Sequence, residues 1–310
     1  MVHYRSLNDV VLKDCWLSIG VFDGVHRGHQ EIIGRLTSGA HAVGSSAVVL
    51  TFDPHPAVVL GGRDLRYLTT PSERAELLGQ LGVDTVIAEP FTAELSRVTA
   101  IDFCRRLKER LGFTRLLIGY DFALGRDREG NAARLSDIGA QLGFALDVVQ
   151  PVGDESGVIS STEIRKLVSL GHVADAARLL GRWYFLTGTV VHGDGRGRHI
   201  NLPTANLEVS PLKVIPRNGI YAAWARIGAE RVEAAVNIGV NPTFTPDKTI
   251  PNVEAHFLDF DQQIYGQVVR LDLVARLRDE LRFDSVATLL EQIQKDVHSV
   301  RELLTGAQTR

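Results

Sequence analysis

The chain of 310 residues has little cysteine: only Cys15 and Cys104 are present, and they form no C-x-x-C pair. Two cysteines are too few for the disulfide framework of a small secreted protein. Both lie in apolar stretches, one predicted as a strand and the other as a helix. We therefore expect two buried free thiols in a reducing compartment, which favours the cytoplasm.

Long apolar runs and an excess of one charge are also missing. No segment approaches the roughly 18 apolar residues of a membrane span, and residues 1–14 lack the apolar core of a signal peptide. The formal net charge is −3, with 34 Lys and Arg against 37 Asp and Glu. Nucleic-acid binding usually needs a basic excess. We therefore expect neither a membrane nor a nucleic acid as partner.

The glycine-bearing stretch of residues 19–29 matches neither common phosphate-binding signature. Its glycines are spaced by four, without the G-K-[ST] ending of a P-loop or the G-x-G-x-x-G of a dinucleotide fold. A strand predicted over 15–22 runs into it, and a helix predicted from His29 onward follows it. A helix N-terminus attracts anions because its first N–H groups have no intrahelical partner and its dipole is positive there.

Two histidines of this stretch, His26 and His29, form an H-x-G-H motif. In an isolated motif of this kind, one histidine usually caps a helix and the other faces solvent. Here the position between a strand and a helix favours phosphate binding. Two imidazoles beside one phosphorus stabilise the charge that grows during phosphoryl exchange. We therefore predict nucleotidyl transfer, with both histidines as catalytic residues.

Predicted strands and helices alternate through the first half of the chain, which implies a parallel sheet covered on both faces. Further strands are predicted over 46–52, 83–88, 116–119 and 144–149. Ligands of such a fold gather at the carboxyl ends of the strands. His55, Asp121 and the loop 125–130 all follow strand ends, so we expect them to share one crevice with the H-x-G-H motif.

The pattern changes near residue 183 to short strands separated by glycine, proline and asparagine turns, as in a closed antiparallel barrel. These strands are predicted over 185–191, 219–227, 231–238, 253–260 and 267–275. A last helix, predicted over 283–304, has apolar residues at helical spacing and is expected to pack along the barrel. We therefore predict two domains, 1–182 and 183–310.

Three polar stretches have more than one interpretation. Thr204 and Asn206 offer the oxygen ligands that Mg²⁺ takes beside a nucleotide, but the glycine–arginine run before them also fits a solvated turn. Glu254 lies in an apolar strand and either faces solvent or acts as a base. The hydroxyls of residues 160–162, one turn before Arg165, fit a helix cap as well as a triphosphate contact.

The complete set of motifs resembles the prokaryotic bifunctional riboflavin kinase/FMN adenylyltransferase, also called FAD synthetase. The motifs occur in the order of that family, at residues 20–29, 51–56, 119–122, 160–165, 203–206, 237–239 and 242–244. The resemblance implies a Rossmann-like nucleotidyltransferase domain followed by a riboflavin kinase barrel. It further implies that ATP phosphorylates riboflavin to FMN in the barrel, and that a second ATP adenylylates FMN to FAD in the first domain.

The resemblance also implies roles for individual residues. Glu254 is implied as the kinase base, with Thr204 and Asn206 as ligands of Mg²⁺. The implied flavin-binding residues are Phe52, His55, Pro56, Asp121 and Phe122. The implied nucleotide-binding residues are Gly20, Phe22, Asp23, Gly24, Gly28, Ser161, Thr162, Arg165, Gly193, Gly197 and Arg198. Expected partners are ATP, riboflavin and FMN.

Three alternatives stay open. Asn201 and Leu202 stand where the family usually has Gly-Phe, and a side chain in place of glycine crowds the ATP loop. One alternative is therefore an FMN adenylyltransferase with an impaired kinase, and another is a non-enzymatic flavin-binding regulator. The third is a different H-x-G-H nucleotidyltransferase that acts on a phospholipid or pantetheine precursor.

Overall fold

The computed structural model describes residues 1–61, 65–154, 157–193, 203–239 and 251–308. Clustering of its contacts divides the chain into two units, Met1–Ser161 and Thr162–Arg310. Four residues singled out in the sequence analysis lie outside the described residues: Gly197, Arg198, Asn201 and Leu202. The motif at 242–244 lies outside them as well.

The first unit contains a six-stranded sheet with helices between its strands. The strands are β1 (Val2–Tyr4), β2 (Cys15–Ile19), β3 (Ser46–Asp53), β4 (Thr85–Pro90), β5 (Arg115–Gly119) and β6 (Ala145–Val149). The helices are α1 (Arg27–Ala42), α2 (Pro56–Gly61), α3 (Pro71–Gln80), α4 (Ala100–Leu111) and α5 (Ala132–Leu142). Every strand pair is parallel, in the order β1-β4-β3-β2-β5-β6.

Apolar strands covered on both faces hold this sheet together, as the sequence predicted. Leu17 of β2, Leu50 of β3 and Leu116 of β5 are fully buried in one core. Helix α4 adds apolar residues at four-residue spacing, begins at the side-chain cap of Thr99 and ends at Gly112 in the left-handed region. Burying an aliphatic side chain of this size stabilises the fold by about 1.5–3 kcal/mol.

The second unit contains a closed antiparallel barrel and three helices. Two short strands, β7 (Gly153–Asp154) and β8 (Gly157–Val158), precede it in the chain. The barrel strands are β9 (Tyr184–Val191), β10 (Ala205–Val209), β11 (Gly219–Ile227), β12 (Glu230–Gly239), β13 (Asn252–Phe257) and β14 (Val268–Arg278). The helices are α6 (Ser161–Ser169), α7 (Val173–Leu180) and α8 (Val286–Gln308). The barrel closes in the order β10-β13-β12-β11-β14-β9.

The structure confirms the fold class and adds one strand to the predicted barrel. Strand β10 was not predicted as a strand because it is only five residues long and begins just after Pro203, yet it pairs with both β9 and β13 and closes the barrel. Helix α8 packs against β11, β12 and β14, as expected from its apolar spacing.

The unit that contains helices α6 and α7 differs between the prediction and the structure. The sequence assigned them to the first domain, whereas contacts assign Thr162 onward to the second unit, where α7 packs against β9 and β14. The predicted boundary between the two domains at 182/183 stays a prediction.

Within the described ranges, no helix is long and apolar enough to cross a membrane. The two cysteines are free and buried, as expected. Burial raises the pKa of each thiol to about 12, and the nearby carboxylate of Asp14 adds to this effect at Cys15. At neutral pH both cysteines are therefore protonated thiols, which are poor nucleophiles.

We expect both thiols of the folded protein to resist Ellman's reagent at pH 8, because neither is exposed or ionised. Both should react once the chain is unfolded in guanidinium chloride. The measurement is the absorbance of released thionitrobenzoate over time with and without denaturant. Rapid release of one equivalent from the folded protein would show that one of the two sites opens readily.

Candidate functional site

His26 and His29 stand at the N-terminus of α1 in direct contact with each other. His26 is the N-cap residue, and its Nδ1 accepts a hydrogen bond from the backbone N–H of His29 at 3.4 Å. The two rings stack with centroids 3.6 Å apart and planes inclined by 22°. The edge of Phe22 packs on His29, with ring centroids 5.2 Å apart. The motif therefore presents both imidazoles at a helix N-terminus, where anions are favoured.

The glycines of this loop make room for rings of the loop itself. A Cβ on Gly28 would lie 3.2 Å from both Cε1 and Nδ1 of His26, and one on Gly20 would lie 2.9 Å from the ring of Phe22. Gly24 has a φ of 81°. Phe22 and Val25 also adopt positive φ, at 52° and 41°. For a β-branched residue this conformation is strained, and such strain clusters at functional sites.

Asp23 is buried, and its carboxylate accepts hydrogen bonds from the protein backbone. Its Oδ2 accepts from the N–H of Leu68 at 3.0 Å, and its Oδ1 accepts from the N–H and the hydroxyl of Thr69 at 3.0 and 3.2 Å. The hydroxyl of Thr69 in turn accepts from the N–H of Gly24 at 2.9 Å. Asp23 thus ties the histidine loop to the segment before α3, and its carboxylate holds the loop's shape.

Arg74 is a site residue that the sequence analysis did not identify. It is 1% exposed, and its Nη1 donates to the carbonyl of Val21 and to the hydroxyl of Thr51, both at 2.8 Å. The same hydroxyl donates to the carbonyl of Val21 at 2.9 Å. A sequence signal existed: Arg74 shares the spacing of the apolar Leu77 and Leu78 in α3, which places it on the buried face.

A cleft of about 840 Å³ lies at the carboxyl ends of β2, β3 and β5, where the sheet topology places ligands. Among the predicted site residues, its lining includes Gly20, Phe22, His29, Phe52, His55, Pro56, Asp121 and Phe122. This set joins the histidine motif to every predicted flavin-binding residue. His26, Asp23, Gly24 and Gly28 belong to the same loop but do not line this cleft.

Aromatic rings and a fixed histidine form one wall of the cleft. Phe52 and Phe91 pack edge to face, with ring centroids 5.4 Å apart. The backbone N–H of His55 donates to the hydroxyl of Tyr67 at 3.1 Å, and its Nδ1 accepts from the N–H of Ala57 at 2.9 Å. The wall therefore offers a flat apolar surface whose histidine is held in one orientation.

Three arginines also line the cleft: Arg126 and Arg128 of the loop 125–130, which the sequence analysis expected at this crevice, and Arg97, which it did not single out. Arg128 has a φ of 59°, and its Nη2 donates to the carbonyl of Asp121 at 2.9 Å. Gly125 opens this loop with a φ of 78°, and a Cβ there would lie 2.6 Å from the backbone of Ala100. The loop therefore brings cationic side chains to a cleft whose lining also includes Asp121 and Asp127.

The hydroxyl residues before Arg165 fall at the start of α6. Ser161 donates its hydroxyl to the carbonyl of Asp23 at 2.9 Å, so it contacts the loop that carries the histidines. Thr162 and Arg165 follow in α6, in the second unit. The structure thus links Ser161 to the histidine loop.

In the barrel, strand register brings three polar residues into one row. Glu254 of β13 pairs with Asn206 of β10 on one side and with Asn237 of β12 on the other. Directly paired residues project to the same face of a sheet, with Cβ atoms about 5 Å apart. The strand carboxylate is therefore flanked by two amides, a surrounding that the single sequence could not show.

A cavity of about 310 Å³ lies beside this row and contains Thr204, Asn237, Glu254 and His256 in its lining. Gly193 packs against Asn206, because a Cβ on Gly193 would lie 2.0 Å from the amide nitrogen of Asn206. Apolar side chains also line the cavity: Ile220, Leu281, Phe283, Leu289, Ile293 and Val297. The cavity therefore offers both polar and apolar contacts.

Glu280, which the sequence analysis did not single out, is a second carboxylate in this cavity. It accepts hydrogen bonds from the side-chain amides of Asn237 and Asn218. Partial burial raises its pKa, while these amides and the guanidinium of Arg278 act in the opposite direction. Because its Nδ2 donates to Glu280, Asn237 has its amide orientation fixed. Its Oδ1 is buried and finds no donor in the described ranges.

Two protein families match this chain in succession. The FAD synthetase family matches residues 9–163, which contain the parallel sheet and the H-x-G-H motif. The riboflavin kinase family matches residues 180–304, which contain the barrel and its polar row. The order of the two matches is the order of the two units described above.

Relatives with established names match over almost their whole length. A bifunctional riboflavin kinase/FMN adenylyltransferase of Listeria monocytogenes is 36% identical over 287 residues, which cover 92% of this chain and 91% of the relative. The Escherichia coli K12 protein of the same name is 33% identical over 305 residues, with 96% and 95% covered. A solved structure from Streptococcus pneumoniae, described as a macrolide-efflux protein, matches with a TM-score of 0.88 and 32% identity over 97% of this chain.

We predict that Asp23→Ala lowers the free energy of unfolding by about 3 kcal/mol, because two buried backbone N–H groups lose their acceptor. Urea unfolding followed by circular dichroism measures this change. The matched control is Asp137→Ala on the exposed face of α5, which should stay within about 0.5 kcal/mol of the natural chain. Equal stability of the two variants would contradict a structural role for the Asp23 carboxylate.

Proposed function

The chain belongs to the family of bifunctional riboflavin kinase/FMN adenylyltransferases, and from this premise we propose how its two sites divide the work. The enzyme phosphorylates riboflavin to FMN and adenylylates FMN to FAD. We assign the second reaction to the cleft of the first unit and the first reaction to the barrel cavity. The observation that carries this assignment is the joining of His29 to an aromatic cleft in one unit and of Glu254 to a polar row in the other.

In the first unit, the phosphate of FMN attacks the α-phosphorus of ATP, and pyrophosphate leaves as the new P–O bond forms. Since Nδ1 of His26 accepts from a backbone N–H, a neutral His26 carries its proton on Nε2. Nε2 is then the atom that donates to phosphoryl oxygens. His29, stacked at 3.6 Å, supplies the second donor. Positioning and charge stabilisation perform the catalysis, and no covalent intermediate is needed.

The aromatic wall of the same cleft binds the flavin ring of FMN. Phe52, Phe122 and the fixed ring of His55 offer flat faces at the carboxyl ends of the strands. Stacking on such faces is worth about 0.5–1.5 kcal/mol beyond area burial for each ring pair. Arg97, Arg126 and Arg128 supply positive charge in the same cleft, which suits a substrate that carries a phosphate.

In the barrel, Glu254 takes the proton of the ribityl 5′-hydroxyl as its oxygen attacks the γ-phosphorus of ATP, and ADP leaves. The apolar side chains of the cavity contact the flavin ring, and the amides beside Glu254 face the ribityl chain. Thr204 and Asn206 offer a hydroxyl and an amide oxygen, and such hard neutral donors suit Mg²⁺ when nucleotide phosphates complete its charge and coordination. Bound there, Mg²⁺ would neutralise charge on the transferred phosphoryl group.

This reading favours an active kinase over the two alternatives with an impaired or silent barrel. The described part of the barrel is closed, and its row of Asn206, Glu254 and Asn237 is complete. Asn201 and Leu202 lie outside the described residues, so the kinase assignment depends on the row. The free buried thiols and the use of ATP support a cytoplasmic location.

We expect Glu254→Gln and His29→Ala to separate the two reactions. Loss of the base should slow FMN formation from riboflavin by about 10²–10⁴-fold while FMN is still converted to FAD. Loss of the imidazole should slow FAD formation from FMN and leave riboflavin phosphorylation unchanged. A chromatographic time course of riboflavin, FMN and FAD with ATP and Mg²⁺ measures both rates.

The natural chain provides the control for this experiment, since it must convert riboflavin to FMN and then to FAD. If the natural chain adenylylates FMN but never phosphorylates riboflavin, the barrel assignment is wrong. If pantetheine phosphate or glycerol phosphate is adenylylated and FMN is not, the assignment of the cleft is wrong.

Gly28→Ala should lower the rate of FAD formation by up to about tenfold, because the ring of His26 must shift by a few tenths of an ångström to admit the new methyl group. Gly34→Ala is the matched control in the same helix. A Cβ on Gly34 would meet no atom within 4 Å, so this change should preserve activity and strengthen α1 by up to about 1 kcal/mol. The assay is FAD formation from FMN, with riboflavin phosphorylation as internal reference. Equal rates for the two variants would be the contrary result.

A further inference from the structure

A second cavity of the barrel unit, of about 1690 Å³, belongs to neither reaction. It is a groove on the outer face of β11, β12 and β14, bordered by α7 and the C-terminal half of α8. It shares no lining residue with the kinase cavity. Its lining contains six arginines and three acidic residues, so its charge has the opposite sign to the net charge of the chain.

Strand register sets three of these arginines side by side. Arg226 of β11 pairs directly with Arg231 of β12 and with Arg270 of β14. Paired residues share one face, and adjacent strands lie about 4.8 Å apart, so the row extends over about 10 Å. Like charges placed directly opposite each other destabilise a sheet. The row therefore needs negative charge near it.

Protein groups balance only part of this row. Asp272, whose side chain is 2% exposed, accepts from Nε of Arg226 at 3.0 Å and from Nε of Arg270 at 2.8 Å. Arg270 also lies over the ring of Phe185, with its guanidinium carbon 3.7 Å from the centroid. Arg226, Arg270 and Asp272 together carry one net positive charge. The buried carboxylate of Asp272 holds both guanidinium groups in place.

Arg231 contributes a second positive charge in a fixed position. Its guanidinium carbon lies 3.9 Å from the ring centroid of Trp224 and 5.6 Å from that of Trp183. It makes no hydrogen bond and no ion pair with any residue of the described ranges. A guanidinium that stacks through its face keeps its in-plane N–H donors for two oxygens of an anion such as a phosphate.

One buried donor beneath the arginine row needs an acceptor. The indole N–H of Trp224, a residue 5% exposed, has no hydrogen-bond partner among the described residues. The ring of Trp224 lies beneath the guanidinium of Arg231. Buried polar groups are nearly always paired in folded proteins, and each exception calls for a ligand, an ion or a water.

We propose that this groove binds a polyphosphate group, with Arg231, Arg226 and Arg270 as its donors. Two separated positive centres along a row of about 10 Å favour a chain of phosphates over a single small anion. The shared chemistry fits either inorganic pyrophosphate or the phosphates of a nucleotide. The groove shares no lining residue with either proposed catalytic site, so a test of this proposal does not depend on the catalytic assignments.

Intrinsic fluorescence tests the proposal in the full-length chain. The chain has three tryptophans, and two of them, Trp183 and Trp224, lie beside Arg231 at the groove. In the Trp16→Phe variant, all tryptophan fluorescence therefore comes from the groove. Pyrophosphate and ADP are titrated separately, with a chelator to remove divalent cations. We expect a saturable change, with Kd raised at least tenfold by Arg231→Gln and by Arg226→Gln.

Arg226→Gln is the decisive variant, because Asp272 keeps Arg270 as partner and the stacking on Trp224 is unchanged. Arg105→Gln is the matched control, since it removes one charge from an exposed ion pair with Asp102 in α4. Calorimetry of the same variants without Trp16→Phe repeats the measurement. Equal affinities identify the inorganic chain as the ligand, and tighter ADP binding identifies a nucleotide. No saturable change, or one that Arg226→Gln and Arg231→Gln leave intact, would overturn the proposal.

Discussion

Strand register is the constraint on which both candidate sites depend. In the barrel, pairing of β13 with its neighbours sets Glu254 between two asparagines that are distant in sequence. In the sheet, parallel pairing of β2 with β3 and β5 brings three loops to one edge. A slip of one residue would turn each of these side chains to the opposite face. The apolar residues that fix register therefore determine the geometry of the chemistry.

The local part of this arrangement was predictable from sequence. Apolar runs of four to eight residues marked the strands, and apolar residues at helical spacing marked the last helix, because these signals act over a few neighbours. The H-x-G-H motif was also placed correctly between a strand and a helix. What the sequence could not show is which side chains meet across the fold. Asp23 bonds to the backbone 45 residues away, and β10 was recognisable as a strand only through its partners.

Two buried charges explain why the first site keeps its shape. Asp23 and Arg74 are each about 1% exposed, and both bond to backbone groups around the histidine loop. A buried charge is costly unless hydrogen bonds satisfy it. The backbone near Asp23 and Arg74 is therefore held in the one arrangement that supplies those bonds. This includes the strained turn at Phe22 and Val25, so the histidines are positioned before any substrate arrives.

Departures from local rules coincide with the sites in this protein. A valine with positive φ, an arginine on the apolar face of α3 and a carboxylate in an apolar strand all lie at or beside the two candidate sites. Natural folds tolerate such departures where function requires them. The row of three arginines on adjacent strands is a departure of the same kind, in a groove that shares no lining residue with the kinase cavity. Like charges placed side by side destabilise a sheet, so a bound anion would relieve the repulsion within this row.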